Sequence, residues 1–239
     1  MSNYYPKDDN AILEINLKAL SNNYTSIKKK LNKKIDCAAT VKADAYGVGD
    51  KHVVKCLIKK GCKTFFVAHF SEAVRLREYS KKIKIFCYHG INIKNYKKFI
   101  TFNIIPVANT LEQILMINSL NLKNKFNKPI AIHFDTGMSR LGLDERETKW
   151  LICNKTEISN INICLVMSHL ACASTPENEL NKRQLIKFSN IFNKFKRQFP
   201  STKGTIANSA GILLGHDWHF DMARTGAALY GINPMPKET

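Results

Sequence analysis

The chain has 239 residues, 44% of them hydrophobic, with 11 Gly and 7 Pro, enough for one sizeable core and too short for two full enzyme domains. Its net charge is +18, yet only seven of the 37 basic residues are arginine; the lysines scatter over helix faces without interleaved aromatics, so no nucleic-acid partner is expected. No apolar run approaches the roughly 18 residues of a membrane span and the start, MSNYYPKDDNAILEINL, has no signal-peptide pattern, so neither a membrane nor a secreted location is expected.

Cysteines at 37, 56, 62, 87, 153, 164 and 172 form an odd set without metal-like spacing. Reduced core thiols in a cytoplasmic chain are the expectation.

The pattern then alternates short apolar runs with amphipathic ones. A strand-like opening (11–17) leads into a helical stretch (17–31), and residues 1–12 could add an extra strand. Strand candidates follow at 35–43, 64–70, 82–90, 102–109, 128–137, 161–170, 204–211 and 220–231. Helical stretches lie between them at 50–61, 71–80, 93–100, 110–120, 145–154 and 177–199. Eight β units roughly 25–35 residues apart carry the βα period of a parallel sheet. An α/β fold is therefore expected, a (β/α)8 TIM-type barrel forming a single domain over 1–239. An open sheet is disfavoured because no GxGxxG follows the first strand.

In such a barrel the chemistry sits at the C-terminal strand ends. Strand one ends in Lys42, with Tyr46 in the next turn. The fifth delivers Asp135 through Arg140, the sixth Ser168-His169, the seventh Asn208-Ser209, and the eighth Arg224-Thr225-Gly226. Each polar end closes an apolar run. Loops after strands seven and eight make the barrel phosphate site, and Asn208, Ser209, Gly226 and Ala227 supply hydroxyl and backbone donors there. A desolvated lysine facing a phosphate site suggests a Schiff base to pyridoxal phosphate. His169 offers a flat face for the pyridine ring, and Arg224 a donor for its nitrogen.

The strings AATVKADAYGVG, HFDTGMSRLGL, MSHLACA, ANSAGIL and ARTGAALYG, in this order, resemble the N-terminal barrel of bacterial alanine racemases. The resemblance covers nearly the whole chain. It implies pyridoxal 5'-phosphate as cofactor, Lys42 as cofactor lysine and catalytic base, and a phosphate held by Tyr46, Ser209, Gly226 and Ala227, with Asn208 beside it. His169 would stack on the ring, Arg224 would meet its nitrogen, and Arg140 would stand near the substrate and the phenolic oxygen. The implied activity interconverts L- and D-alanine, supplying D-alanine for peptidoglycan in a homodimeric bacterial enzyme.

The family's second base is a tyrosine from a β-rich second domain of the partner subunit, which these 239 residues do not contain. A fragment or truncated form is expected, weakly active or inactive alone. His133 stands where many members carry a lysine that positions the arginine, and Thr225 replaces a proline. The alternative is a single-barrel protein of pyridoxal phosphate homeostasis without racemase activity. A barrel decarboxylase fits less well, because no glycine-rich string follows strand six.

Among the other polar residues, Asp135 reads as the cap of its loop rather than an acid, and Tyr230 as packing. His52, His69, His89, His216 and His219 lack metal spacing.

Overall fold

A computed structural model describes residues 13–236. Eight strands run parallel: β1 (Asp36–Thr40), β2 (Thr64–Val67), β3 (Lys84–Cys87), β4 (Ile105–Ala108), β5 (Ile130–His133), β6 (Ile163–Met167), β7 (Lys203–Thr205) and β8 (Met222–Thr225). Each pairs with its chain neighbour from β1 to β7, and β1 also pairs with β8. Helix α1 (Leu17–Lys29) precedes β1, and helices lie between the strands: α2 (Lys42–Tyr46), α3 (Asp50–Lys59), α4 (Phe70–Tyr79), α5 (Tyr96–Thr101), α6 (Leu111–Leu122), α7 (Glu145–Cys153), α8 (Glu179–Gln198) and α9 (Ser209–Leu213). This is the expected (β/α)8 barrel.

The opening differs from expectation. Residues 13–16 form no strand, because the Asn16 side chain accepts the Ala19 N–H at 2.9 Å and caps α1 there. The suggested extra strand at 1–12 lies outside the described residues. The strands are also shorter than their apolar runs. At the end of β6, for instance, hydrophobic residues continue into the loop and pack under it: Leu170 and Ala173 are both buried.

Strand alternation builds two apolar layers. Cys37, Ala39, Phe65, Val67, Ile85, Ile130 and Ile132 face the helices. Ala38, Phe66, Phe86, Val107, Ala131, Leu165, Met167 and Met222 plug the barrel interior, with the Phe66 and Phe86 rings stacked 4.6 Å apart. Small residues on β1 opposite phenylalanines on β2 and β3 keep this plug filled without overpacking.

The seam between β7 and β8 closes the ring. Asp221 N–H donates to the Gly204 carbonyl at 3.1 Å, and Arg224 N–H to that of Ala207 at 2.9 Å. The Asp221 carboxylate takes the Gly204 N–H at 2.8 Å. A Cβ at 204 would stand 2.9 Å from the Phe192 ring on α8, so only glycine lets α8 lie this close to β7. Asp221→Ala strips a charged acceptor from this seam, and a loss of about 1.5–3 kcal/mol is expected. Urea unfolding should show a lower midpoint with an unchanged m-value.

Candidate active site

The interior plug ends abruptly in polarity. Two residues beyond Ala38, Phe86, Ala131, Met167 and Met222 come Thr40, Tyr88, His133, His169 and Arg224. The step of two keeps all five on the inward face. Lys42 follows Thr40 by the same step. Together they bound a cavity of about 540 Å³ at the C-terminal end of the barrel.

Every residue nominated for catalysis or cofactor binding lines this cavity: Lys42, Tyr46, Arg140, His169, Asn208, Ser209, Arg224, Gly226 and Ala227. His133 lines it too. Asp135 instead caps its loop, its Oδ1 accepting the N–H groups of Gly137, Met138 and Ser139 at 2.9–3.1 Å. Tyr230 packs on the Tyr46 ring at 4.7 Å and donates to the Thr40 carbonyl. Thr225 is fully buried behind the cradle. His216 and His219 border a separate groove. His89, read as structural, does border the cavity, its Nδ1 lying 3.2 Å from that of His69. Sequence reading missed Thr40 and Tyr88, whose hydroxyls meet at 3.3 Å. The step of two from the plug was the signal that could have found them.

Lys42 opens a left-handed helical turn, α2. Ala43, Asp44, Ala45 and Tyr46 have φ between 52° and 60°, and Gly47 follows at 83°. Such a conformation costs about 1–2 kcal/mol per non-glycine residue, so the fold must hold it. Ala45 N–H reaches the Val41 carbonyl at 3.0 Å and Gly47 N–H that of Ala43 at 2.9 Å. Asp44 Oδ1 accepts the Asp50 N–H at 2.8 Å, and the buried Asp50 carboxylate is fixed by Arg75 at 3.0 Å and Tyr79 at 2.8 Å. Burial lowers the Lys42 pKa, as does the Arg140 charge, while Glu72 raises it. The amine is thereby biased toward its neutral, nucleophilic form.

Arg224 is 3% exposed. It donates to the Ser168 and Ile206 carbonyls and lies 5.9 Å from the Phe66 ring. Its Nε is buried without a partner among the described residues, although buried donors are nearly always paired. Nearby, Ser209 Oγ accepts the Gly226 N–H at 2.9 Å and the Ala228 N–H at 3.3 Å. A Cβ at 226 would sit 2.7 Å from Tyr46 Oη, so glycine keeps the cradle open under that hydroxyl. Asn208 is largely committed elsewhere: its Oδ1 caps α9 at Gly211 N–H (2.9 Å) and its Nδ2 donates to the Leu170 carbonyl (3.2 Å). The same Nδ2 reaches His169 Nε2 at 3.5 Å, the outer limit of a hydrogen bond.

The state of His133 follows from its neighbour. Asn109 Nδ2 donates to the carbonyls of Tyr88 (2.7 Å) and Val107 (3.0 Å), which fixes its Oδ1 as the acceptor facing His133 Nδ1 at 3.0 Å. Nδ1 therefore carries the proton, and Nε2 is a bare lone pair. Burial, then the charges of Arg224 and Arg140, push the His133 pKa down to about 3. The same three causes hold His169 well below its ordinary range. Both imidazoles are neutral. Arg140 itself is exposed at the rim and makes no hydrogen bond or ion pair among the described residues, with His133 or otherwise.

The profile of the alanine racemase N-terminal domain matches residues 15–234. The chain belongs to that family. It is 40% identical over 225 residues to the alanine racemase of Rickettsia canadensis (strain McKiel), covering 93% of this chain and 62% of the relative. The Rickettsia akari (strain Hartford) alanine racemase is 39% identical over 227 residues, again covering 62% of its length. Among solved structures, the Bartonella henselae alanine racemase with covalently bound pyridoxal phosphate superposes with a TM-score of 0.86 at 36% identity, covering 94% of this chain and 64% of that one. The chain thus spans about three fifths of the length of the alanine racemases it matches.

The neutral His133 carries a pH signature. An unfolded histidine takes its second proton near pH 6.5, whereas the folded one takes it only near pH 3. Its contribution to stability is complete above the unfolded value and is lost as pH falls toward 3, at about 1.4 kcal/mol per pH unit. Denaturant titrations between about pH 6 and 4 should show His133→Gln flattening the slope by about one proton.

Proposed function

We propose that this chain is the cofactor-binding barrel of an alanine racemase, with pyridoxal 5'-phosphate as cofactor and alanine as substrate. The observation that carries the reading is the pairing of a lysine whose pKa is depressed with an anion cradle, in a cavity that no Asp or Glu lines among the described residues. The residues fit the cofactor on two counts. Arg224 Nε is a buried donor in want of an acceptor, as a pyridine nitrogen would be. The Ser209 hydroxyl, which accepts the Gly226 and Ala228 N–H groups, and the Tyr46 hydroxyl come together over Gly226, where a Cβ would not fit, as a phosphate cradle requires.

When bound, the cofactor supplies an electron sink for the pair left behind as a Cα proton departs. The chain does the rest. Lys42 would hold the aldehyde carbon and, once released, take or return a proton at the Cα face it occupies. Tyr46, Ser209, Gly226 and Ala227 would anchor the phosphate, with Asn208 shaping the loop beside it. Tyr46 keeps its proton as a donor, since burial raises its pKa. The neutral His169 ring would pack against the pyridine face. Arg224 would donate a hydrogen bond to the ring nitrogen while keeping its own proton. Arg140, unpaired at the rim, would meet the substrate carboxylate and the phenolic oxygen.

The opposite face of Cα needs its own acid/base group, which we assign to a partner subunit in a homodimer. The same reading places the chain in a bacterial cytoplasm, a reducing compartment suited to seven free thiols. There its D-alanine would feed peptidoglycan.

Borohydride treatment with pyridoxal phosphate should fix the cofactor on Lys42, and peptide mapping should lose the label in Lys42→Ala. Label elsewhere in the unsubstituted chain would defeat the reading. Ser209→Ala should weaken cofactor affinity by about 1.5–3 kcal/mol, one hydrogen bond to a charged acceptor; titration showing no change would count against the cradle.

Residues 1–239 alone hold one base, Lys42. In heavy water they should exchange the α-proton of one alanine enantiomer slowly, with net interconversion reduced about 10²–10⁴-fold or more from an ordinary enzyme rate. Interconversion at full enzyme turnover would mean that a barrel residue serves the second face.

A further inference from the structure

We propose that Glu72 is a positioning residue for Lys42: its carboxylate holds the left-handed turn on which the lysine stands. Glu72 lies on α4, one strand away from the turn, and is 7% exposed. Its Oε1 accepts the N–H of Ala43, the residue after the lysine, at 2.6 Å. Its Oε2 accepts the N–H groups of Ala68 and His69, both at 2.8 Å.

The two oxygens do separate jobs. The bonds from Ala68 and His69 cap the start of α4, as a glutamate three residues past the cap position commonly does. The bond from Ala43 adds nothing to that cap. It ties the second strand's helix to the first strand's turn. Its donor belongs to the first residue of the run at positive φ, where the chain changes hand. The bond pins the 42–43 peptide, which joins the lysine to that run, so the entry to the left-handed turn is held in place.

The carboxylate has no cation within ion-pair distance among the described residues, where the ion pairs are Arg75–Asp50 and Lys187–Glu145. Three backbone donors stabilise its charge instead. That buried charge also bears on the lysine: burial and Arg140 lower the Lys42 pKa, and Glu72 alone acts against them. Glu72 thus influences both where the amine stands and how readily it holds its proton. The inference deepens the reading of Lys42 as the cofactor lysine and rests on it.

Glu72→Asp isolates the contact. Aspartate keeps the charge and can still cap α4, but it is one methylene too short to reach Ala43. Two readouts are needed. One is pyridoxal phosphate affinity by absorbance titration. The other is the cofactor-free acetylation rate of Lys42 against the surface lysines, read by peptide mass spectrometry across pH.

In Glu72→Asp, cofactor affinity should fall about tenfold or more, as for one lost bond to a charged acceptor, and the relative Lys42 acetylation rate should change about threefold or more. Adding Ala43→Gly, which removes the steric cost of positive φ, should recover much of both losses. Glu72→Gln, which removes the charge as well, should also move the Lys42 acetylation midpoint to lower pH.

A folded Glu72→Asp chain whose Lys42 acetylation and cofactor affinity both stay within about twofold of the unsubstituted chain would overturn the proposal, since a bond of this class is worth more than that. Should Glu72→Asp fail to fold, hydrogen exchange on the unsubstituted chain decides. The Ala43 amide should be protected about a hundredfold or more over an unstructured peptide, and exchange at the unstructured rate would overturn the proposal. A changed Lys42 acetylation rate in a chain that never captures pyridoxal phosphate on Lys42 would support Glu72 as the positioning group while rejecting the cofactor reading.

Discussion

A buried positive charge with no carboxylate beside it governs this cavity. Arg224 lies where β6, β7 and β8 meet, satisfied by backbone carbonyls and an aromatic face rather than by an anion. Burying an ion this way costs several kcal/mol of desolvation, and carbonyl dipoles recover only part of it. Its field then sets the state of its neighbours. His133 and His169 are held neutral by burial and by Arg224 ahead of any other charge. With Lys42 and Arg140 also lining the space and no acidic side chain among the described lining residues, the cavity is electrostatically unfinished. Such a site favours a ligand that brings its own negative charge, as a phosphate and a carboxylate both do.

The second constraint is mechanical. The lysine that must face this field stands on a turn of the wrong hand, and a turn of that kind persists only when its surroundings over-determine it. Two acidic residues on the turn and beyond it, Asp44 and Asp50, with Arg75 and Tyr79 behind them, brace its far end. Glu72 takes the near end. The negative charges of the region are thus spent on backbone and outer struts, one shell behind the cavity wall, and the wall itself is left cationic. Strain and electrostatics share one solution.

How much of this the sequence disclosed depends on what each residue does. Charged or titratable side chains that end an apolar run, such as Lys42, His169 and Arg224, stand out because nothing in a buried strand explains them. Thr40, Tyr88 and Asn109 do not, because neutral polar residues at strand ends are common and signal nothing until the inward parity of each strand is known. Glu72 was invisible for another reason: on a helix it reads as one more solvated carboxylate, and only the tertiary approach of α4 to the lysine turn gives it a second task. The left-handed turn was hidden as well. Gly47 and Gly49 advertise positive φ, but the four residues before Gly47 include two alanines and a tyrosine, which prefer the opposite hand. The barrel itself was legible from periodicity, whereas the opening run was misread as a strand, since the Asn16 cap makes its end a helix start.

His133 shows why residue type alone misleads at such a site. Read from the sequence, a histidine in place of the family's lysine could hydrogen-bond Arg140 but supplies no negative charge to hold it. In the fold, Asn109 fixes which way such a bond could run: its amide is oriented by two carbonyls, so it can only accept from Nδ1 and leaves Nε2 as an acceptor. What remains toward the cavity is a neutral acceptor beside two arginines. It adds no positive charge to a wall already carrying three cations, and its lone pair is the kind of group a guanidinium can donate to. A lysine there would need its charge cancelled before the wall could tolerate it; the histidine needs only burial and one asparagine.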